Sequence, residues 1–404
     1  MRRATVLVAC LVTAAVLAAA PARAGFVSRN GLVAFRSDRT GAPDIFSMDA
    51  AGGTLVNLTD NPAVRDLSPA WYPDGLHIAF VRVTHDDGKP DLYVMRENGA
   101  GRERITSTSA FERDPAWSPD GTRIAFAARA DRGGPFRIFV AAADGTGVVQ
   151  LTAHDEGEAD RSPAWSPDGT QIAYVTDRDG GFPQIHVMNA DGPGERRLTG
   201  DSDINGNPSW SPDGTRLLVE RCCSDGTSEI YAIDAATGAA TNLTNSASVQ
   251  EFDPVWSPDG TAIAYVAVPL GGGNIDIWTM GADGSSPTQI TSDPAPDLSP
   301  SWQPLPVCTI KGTSGPDELF GTDGDDVICA GGGSDIVHAG LGNDLVFGGT
   351  GDNVLEGLDG SDVLYGEGGN DTLDGGPGLD VLEGGPGIDT CVPGAEGDVI
   401  RTCE

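Results

Sequence analysis

Between residues 31 and 304, apolar and polar positions alternate in short runs. This period of two marks half-buried strands rather than helix. The runs come in fours. One carries a Trp, at positions 71, 117, 165, 210, 256 and 302. A second follows as Ile78-Ala79-Phe80, Ile124-Ala125-Phe126, Ile172-Ala173-Tyr174, Leu217-Leu218-Val219 and Ile263-Ala264-Tyr265. A third has the form of Asp91-Leu92-Tyr93-Val94-Met95. A fourth is marked by Leu-Thr or Ile-Thr: Leu58-Thr59, Ile105-Thr106, Leu151-Thr152, Leu198-Thr199, Leu243-Thr244 and Ile290-Thr291. The Trp residues are 46, 48, 45, 46 and 46 residues apart, a repeat architecture of four-stranded units.

The turn after each Trp explains how the first two runs meet. Trp117-Ser118-Pro119-Asp120-Gly121 recurs from Trp165, Trp210 and Trp256, with Trp71-Tyr72-Pro73-Asp74-Gly75 before them and Trp302-Gln303-Pro304 after. Pro sets φ for a tight turn and Gly tolerates positive φ. The strand count sets the topology. Three strands, from Leu32 to Thr59, precede the first Trp strand, and nothing of the second type follows Trp302. The two ends must complete one unit together, closing a ring of six without a long free edge. The Pro-x-Trp-Ser-Pro-Asp-Gly-x-x-Ile-Ala-Phe pattern resembles the TolB-type β-propeller repeat. That resemblance implies a six-bladed β-propeller over residues 25–304. It implies little about function, because such propellers serve as envelope scaffolds, docking surfaces and accessory domains.

From residue 305 the period becomes nine. Gly312–Phe320 is followed in phase by eight more copies, ending at Val392; the clearest is Gly375-Gly376-Pro377-Gly378-Leu379-Asp380-Val381-Leu382-Glu383. Gly at positions one, two and four turns the backbone tightly and exposes carbonyl oxygens. Asp at position six adds a hard anionic oxygen, the donor calcium prefers. Position eight is apolar and faces inward: Leu319, Ile328, Val337, Val346, Leu355, Leu364, Leu373 and Leu382. This resembles the RTX, or haemolysin-type, calcium-binding repeat, a parallel β-roll. The resemblance implies metal ligands at Asp317, Asp326, Asp335, Asp344, Asp362, Asp371, Asp380 and Asp389, paired two repeats apart. Asn353 stands in the fifth repeat and puts the sites it shares with Asp335 and Asp371 in doubt. The fold class is thus all-β, a propeller (25–304) followed by a calcium-binding roll (305–404) that folds when calcium binds.

Charge sharpens this picture. The chain carries 25 basic and 59 acidic residues, net −34, with 56 Gly and 28 Pro. Residues 308–404 hold 20 acidic and only 2 basic residues. Such a surface repels nucleic acid and suits cations or basic partners. Arg2-Arg3, the apolar run Ala4–Ala20 and Ala22-Arg23-Ala24 read as a secretory signal peptide over residues 1–24. A lipoprotein box ending at Cys10 competes with it but lies too near the start. No other apolar run is long enough to span a membrane. Export implies an oxidising compartment, outside the cell or in the periplasm. Locality among the six remaining cysteines suggests Cys308–Cys329 and Cys391–Cys403, stapling the ends of the roll. Cys222 and Cys223 are left as a vicinal disulfide or two thiols.

Candidate chemistry in the propeller is sparser. Five residues before each Trp stand Asp66, Glu112, Asp160, Asn205, Glu251 and Asp297. They are polar turn caps, or a carboxylate ring at a channel mouth that holds a cation or basic peptide. The insertion His154–Glu158 and the Cys222-Cys223 pair are irregular enough to be sites, although loop variation explains both. Five histidines form no recognisable set, and no nucleophile elbow, zinc-binding His-Glu-x-x-His or phosphate loop occurs. The sequence is therefore read as a secreted calcium-binding protein with a propeller that docks a protein or peptide ligand. The alternative is an extracellular hydrolase or lyase using loops at the channel mouth.

Overall fold

A computed structural model describes residues 29–404 apart from 51, 54, 85–87, 107, 109, 131–132, 154–157, 179–181, 201–202, 223–226, 247, 393, 395–397, 402 and 404. Residues 1–24, read above as a signal peptide, with Cys10, residues 154–157 of the acidic insertion, and Cys223 lie outside the described residues. Those described form strands and turns only, and no helix among them is long and apolar enough to cross a membrane.

Six antiparallel four-stranded sheets make the first body. Their innermost strands are Val64–Trp71, Phe111–Trp117, Asp160–Trp165, Ile204–Trp210, Val249–Trp256 and Asp297–Leu305, each packed beside the next in a closed ring. Closure comes from both chain ends. Arg29–Ser37 pairs with Asp297–Leu305 in one sheet, in register at Arg29 with Leu305 and Val33 with Trp302. Each Trp packs between blades: Trp165 contacts Ala125, Ala127 and Ile138 of the preceding blade and Ile172 of its own. Its indole N–H donates to the carbonyl of Ala116 at 3.1 Å.

The repeated polar residues hold the blades' turns. Asp120 Oδ1 accepts the backbone N–H of Thr122 at 3.0 Å and the Ser118 hydroxyl at 2.6 Å, while Gly121 takes φ +67°. The marker Thr sits inside each blade. Its hydroxyl oxygen accepts a backbone N–H of the third strand in all six: Ile45 from Thr59, Leu92 from Thr106, Ile138 from Thr152, Ile185 from Thr199, Ile230 from Thr244 and Ile277 from Thr291. A buried N–H left unpaired is costly, so the outermost strand is reduced to two or three residues and a hydroxyl completes its ladder.

Residues 310–401 form the second body, two parallel sheets facing each other across a narrow core. Strand partners are 18 residues apart, as in Val337 with Leu355, so two nonapeptides make one coil. Ile328, Val337, Val346, Leu355, Leu364, Leu373 and Leu382 are fully buried along the axis. Disulfides Cys308–Cys329 and Cys391–Cys403 hold its first and last coils. Solenoid ends lack a stacking neighbour and need such caps. The roll meets the propeller across a cleft lined by Leu76, Glu97 and Gln303 on one side and Phe347, Tyr365 and Glu367 on the other. The Phe347 and Tyr365 rings stack with centroids 5.4 Å apart.

Candidate functional site

Position six of the nonapeptide repeat builds the most unusual chemistry in the molecule. The tight Gly turn folds each Asp side chain inward, onto the backbone of the neighbouring coil. Asp335, Asp344, Asp362, Asp371, Asp380 and Asp389 are each no more than 2% exposed. In two files, one oxygen of each accepts the backbone N–H of its counterpart one coil earlier. Asp317 N–H donates to Asp335, Asp335 to Asn353, Asn353 to Asp371 and Asp371 to Asp389, at 2.8–3.0 Å. In the second file Asp326 donates to Asp344, Asp344 to Asp362, Asp362 to Asp380 and Asp380 to Asp398, also at 2.8–3.0 Å.

The other oxygen decides what the files can do. Oδ2 of Asp335, Asp344, Asp362, Asp371, Asp380 and Asp389 is buried without a hydrogen-bond partner. Six orphaned carboxylate oxygens in one small domain are costly unless a cation satisfies them. Burial pushes Asp344 and Asp362 up to about 6, opposed by the backbone hydrogen bond each accepts and reinforced by neighbouring Asp residues. Burial also raises Asp371 and Asp380. Backbone oxygen lies beside these carboxylates. A methyl group built on Gly366 would stand 2.5 Å from both Asp371 Oδ2 and the Gly384 carbonyl. Among the described residues no three His, Cys, Asp or Glu side chains converge. The donor set is therefore carboxylate plus carbonyl oxygen, which fits a hard cation such as calcium and not a zinc-type site.

Asp317 and Asp326 differ from the other six. Their Oδ2 atoms accept the Thr313 and Thr322 hydroxyls, each at 2.8 Å, and the N–H groups of the same residues. Thr replaces Gly at position two in these first repeats, so the files begin with carboxylates that the protein itself satisfies. Asp398 was not legible as a ligand, because the repeat after Val392 keeps little but Gly394, Asp398 and Ile400 in phase. The structure adds it to the second file, where its Oδ2 accepts the Gly394 N–H at 2.9 Å.

In the propeller, the expected carboxylate ring is not at an open mouth. Asp66, Glu112, Asp160, Asn205, Glu251 and Asp297 are all buried. They sit in the seams between blades, and Glu112, Asp160 and Asn205 reach Leu92, Arg137 and Gln184 at the start of the third strand of the preceding blade. Arg82 binds Asp66 with two hydrogen bonds, and Arg39 binds Asp297 likewise. Glu112 accepts the Thr106 and Thr108 hydroxyls. Arg137 stands 3.8 Å from Asp160, and Asn205 donates to the Asp203 carbonyl at 3.0 Å. Burial, then the Glu229 charge, push Glu251 up to about 8.

Two residues further along each strand lies the ring that does line the channel. Ser68, Asp114, Ser162, Asn207, Asp253 and Ser299 all take positive φ, between 43° and 54°. Each marks a β-bulge that turns its side chain toward the axis. The Pro residue that follows each of them sits inside its strand, where the bulge removes the need for an N–H. Neighbouring members bond around the axis. Ser162 N–H donates to Asp114 at 3.2 Å, the Ser162 hydroxyl to Asn207 at 2.9 Å, and Asn207 to Asp253 at 2.6 Å. Burial, then Glu220, push Asp253 up to about 7.

Comparison with known proteins agrees with both bodies. Residues 59–160 match the TolB beta propeller domain, and segments 311–346, 338–373, 347–382 and 356–391 match the RTX calcium-binding nonapeptide repeat. The chain joins a TolB-type propeller to an RTX repeat domain. Over 62 residues it is 37% identical to the Tol-Pal system protein TolB of Syntrophus aciditrophicus, covering 15% of this chain and 13% of that protein. The TolB homolog of Chlorobaculum tepidum is 39% identical over 62 residues, covering 15% and 14%. TolB from Acinetobacter baumannii superposes with a TM-score of 0.59 at 26% identity, over 68% of this chain and 67% of that one. A putative TolB from Agrobacterium tumefaciens, 22% identical with a TM-score of 0.52 over 68% and 91%, shares the fold. The chain spans only 13–14% of the length of the two TolB relatives that it matches in sequence.

Proposed function

We propose that this is an exported calcium-binding protein whose RTX roll folds around calcium ions and whose propeller docks a protein or peptide ligand. The observation that carries the calcium reading is the set of six buried carboxylate oxygens without partners, stacked at intervals of one coil. Asp335, Asp344, Asp362, Asp371, Asp380 and Asp389 supply the ligand oxygens, and backbone carbonyls of the Gly turns supply the rest. Asp317 and Asp326 close the files at their first coil. When bound, the cations neutralise carboxylates that otherwise repel each other across a narrow core. Extracellular modules of this kind work at about 0.1–1 mM calcium. Two disulfides and the N-terminal leader support an oxidising location outside the cytoplasm.

For the propeller, docking is the better reading. The channel is ringed by repeat-equivalent polar residues that bond one another, a smooth lining rather than a catalytic constellation. Its acidic members, Asp114 and Asp253 with Glu220 behind them, suit a basic segment of a partner. The test has two arms, both on the full chain. Calorimetric titration with calcium should show saturable heat and a gain of β signal; no heat and no gain refute the calcium reading. Binding of a Lys-rich peptide should weaken in Asp114→Asn/Asp253→Asn; equal affinity in the variant removes the channel as the docking site.

A further inference from the structure

The two aspartate files are not equivalent, and the difference lies in one side chain. The first file runs through Asp317, Asp335, Asn353, Asp371 and Asp389; the second through Asp326, Asp344, Asp362, Asp380 and Asp398. Asn353 is 1% exposed and occupies the same place as the Asp residues around it. Its Oδ1 accepts the Asp335 N–H at 3.0 Å. That bond fixes the amide orientation, because the opposite flip would set two donors against each other. The second atom is therefore Nδ2, and it donates to the Gly351 carbonyl at 3.0 Å.

We infer that Asn353 is a built-in gap that divides the first file of calcium sites, leaving the second uninterrupted. A methyl built on Gly366 meets the Asp371 carboxylate and the Gly384 carbonyl, as described above. The same methyl on Gly348 meets Asn353 Nδ2 at 3.0 Å and the Gly366 carbonyl at 2.8 Å. The slot is the same, but an N–H donor stands where the others present an anionic oxygen. A donor cannot ligate a cation, and this one also occupies a backbone oxygen. Size does not account for the gap, because Asn and Asp are nearly isosteric. The middle of the roll is thus held by a hydrogen bond of its own, with one negative charge fewer.

This inference rests on the calcium reading of the roll. The experiment compares full-length wild type, Asn353→Asp and, as the converse in the intact file, Asp362→Asn. Bound calcium per chain is counted by elemental analysis after equilibrium dialysis, and roll melting is followed with a chelator. Asn353→Asp should bind at least one ion more than wild type and melt lower in chelator, while Asp362→Asn should bind fewer ions and melt higher in chelator. If wild type takes up calcium and Asn353→Asp binds the same number, the gap does not exist and the parent reading survives. If wild type takes up none, both fall.

Discussion

Acidifying the chelated protein through pH 6 should stabilise its roll, with protons taking over the work of calcium. Without calcium, Asp344 and Asp362 are pushed from 3.8 to about 6. A folded-state pKa above the unfolded one means that the folded chain binds more protons. Its stability is then full below the unfolded value and lost as the pH rises through the folded one. One pKa unit is worth about 1.4 kcal/mol, so each carboxylate contributes about 3 kcal/mol before screening. These loops border solvent, which reduces the contribution to roughly 1 to 1.5 kcal/mol each. Asp371 and Asp380 shift in the same direction. About half of this is reached by pH 5, so with about 4–8 °C per kcal/mol in a domain of this size, roll melting should rise by roughly 5–10 °C between about pH 7.5 and 5, and further toward about pH 4. Scanning calorimetry of the full chain in chelator reads this, with the propeller transition as internal reference. Saturating calcium should remove the dependence above about pH 6, because the ions hold the carboxylates ionised. A chelated roll that melts at the same temperature or lower at pH 5 would refute the reasoning.

Three further outcomes follow from buried groups. Arg82→Met leaves the fully buried Asp66 uncompensated and should cost about 3–5 kcal/mol in urea unfolding, largely recovered by Asp66→Asn in the same chain. Glu251 sits at about 8, so wild-type propeller stability should fall as pH rises through that value; Glu251→Gln should flatten the profile and gain on the order of 1 kcal/mol at about pH 9. Gly366→Ala places its methyl against Asp371 and Gly384, so it should cost about 1–3 kcal/mol and move the calcium midpoint upward roughly tenfold, read by circular dichroism.

How far the sequence alone could reach differs between the two bodies. Local repetition made the blades, the Thr markers and the nonapeptide period readable, and counting the strands of that repeat left the two ends of the propeller to complete one blade. The fate of the six polar residues before the Trp strands was not readable. Asp66 finds Arg82 sixteen residues on, whereas Asp297 finds Arg39 258 residues back, and periodicity does not reveal which charge has a buried partner. The channel ring was missed for a related reason. The left-handed bulge at Ser68 and its equivalents shifts the pairing register, so the side chain that reaches the axis lies two residues from the one that strand counting favoured. In the roll, Asp at position six was evident, but the satisfied ends at Thr313 and Thr322 and the amide at Asn353 depend on atoms that only the stacked coils bring together.

The strand Asp297–Leu305 clasps the propeller shut, and the roll begins at Cys308, three residues past its end. Clasp and tether are consecutive pieces of one polypeptide. A protease cutting at Pro306 or Val307 would therefore shed the acidic tail while the six-membered ring stayed locked. A cut a dozen residues earlier would instead unzip the ring and expose raw sheet edges.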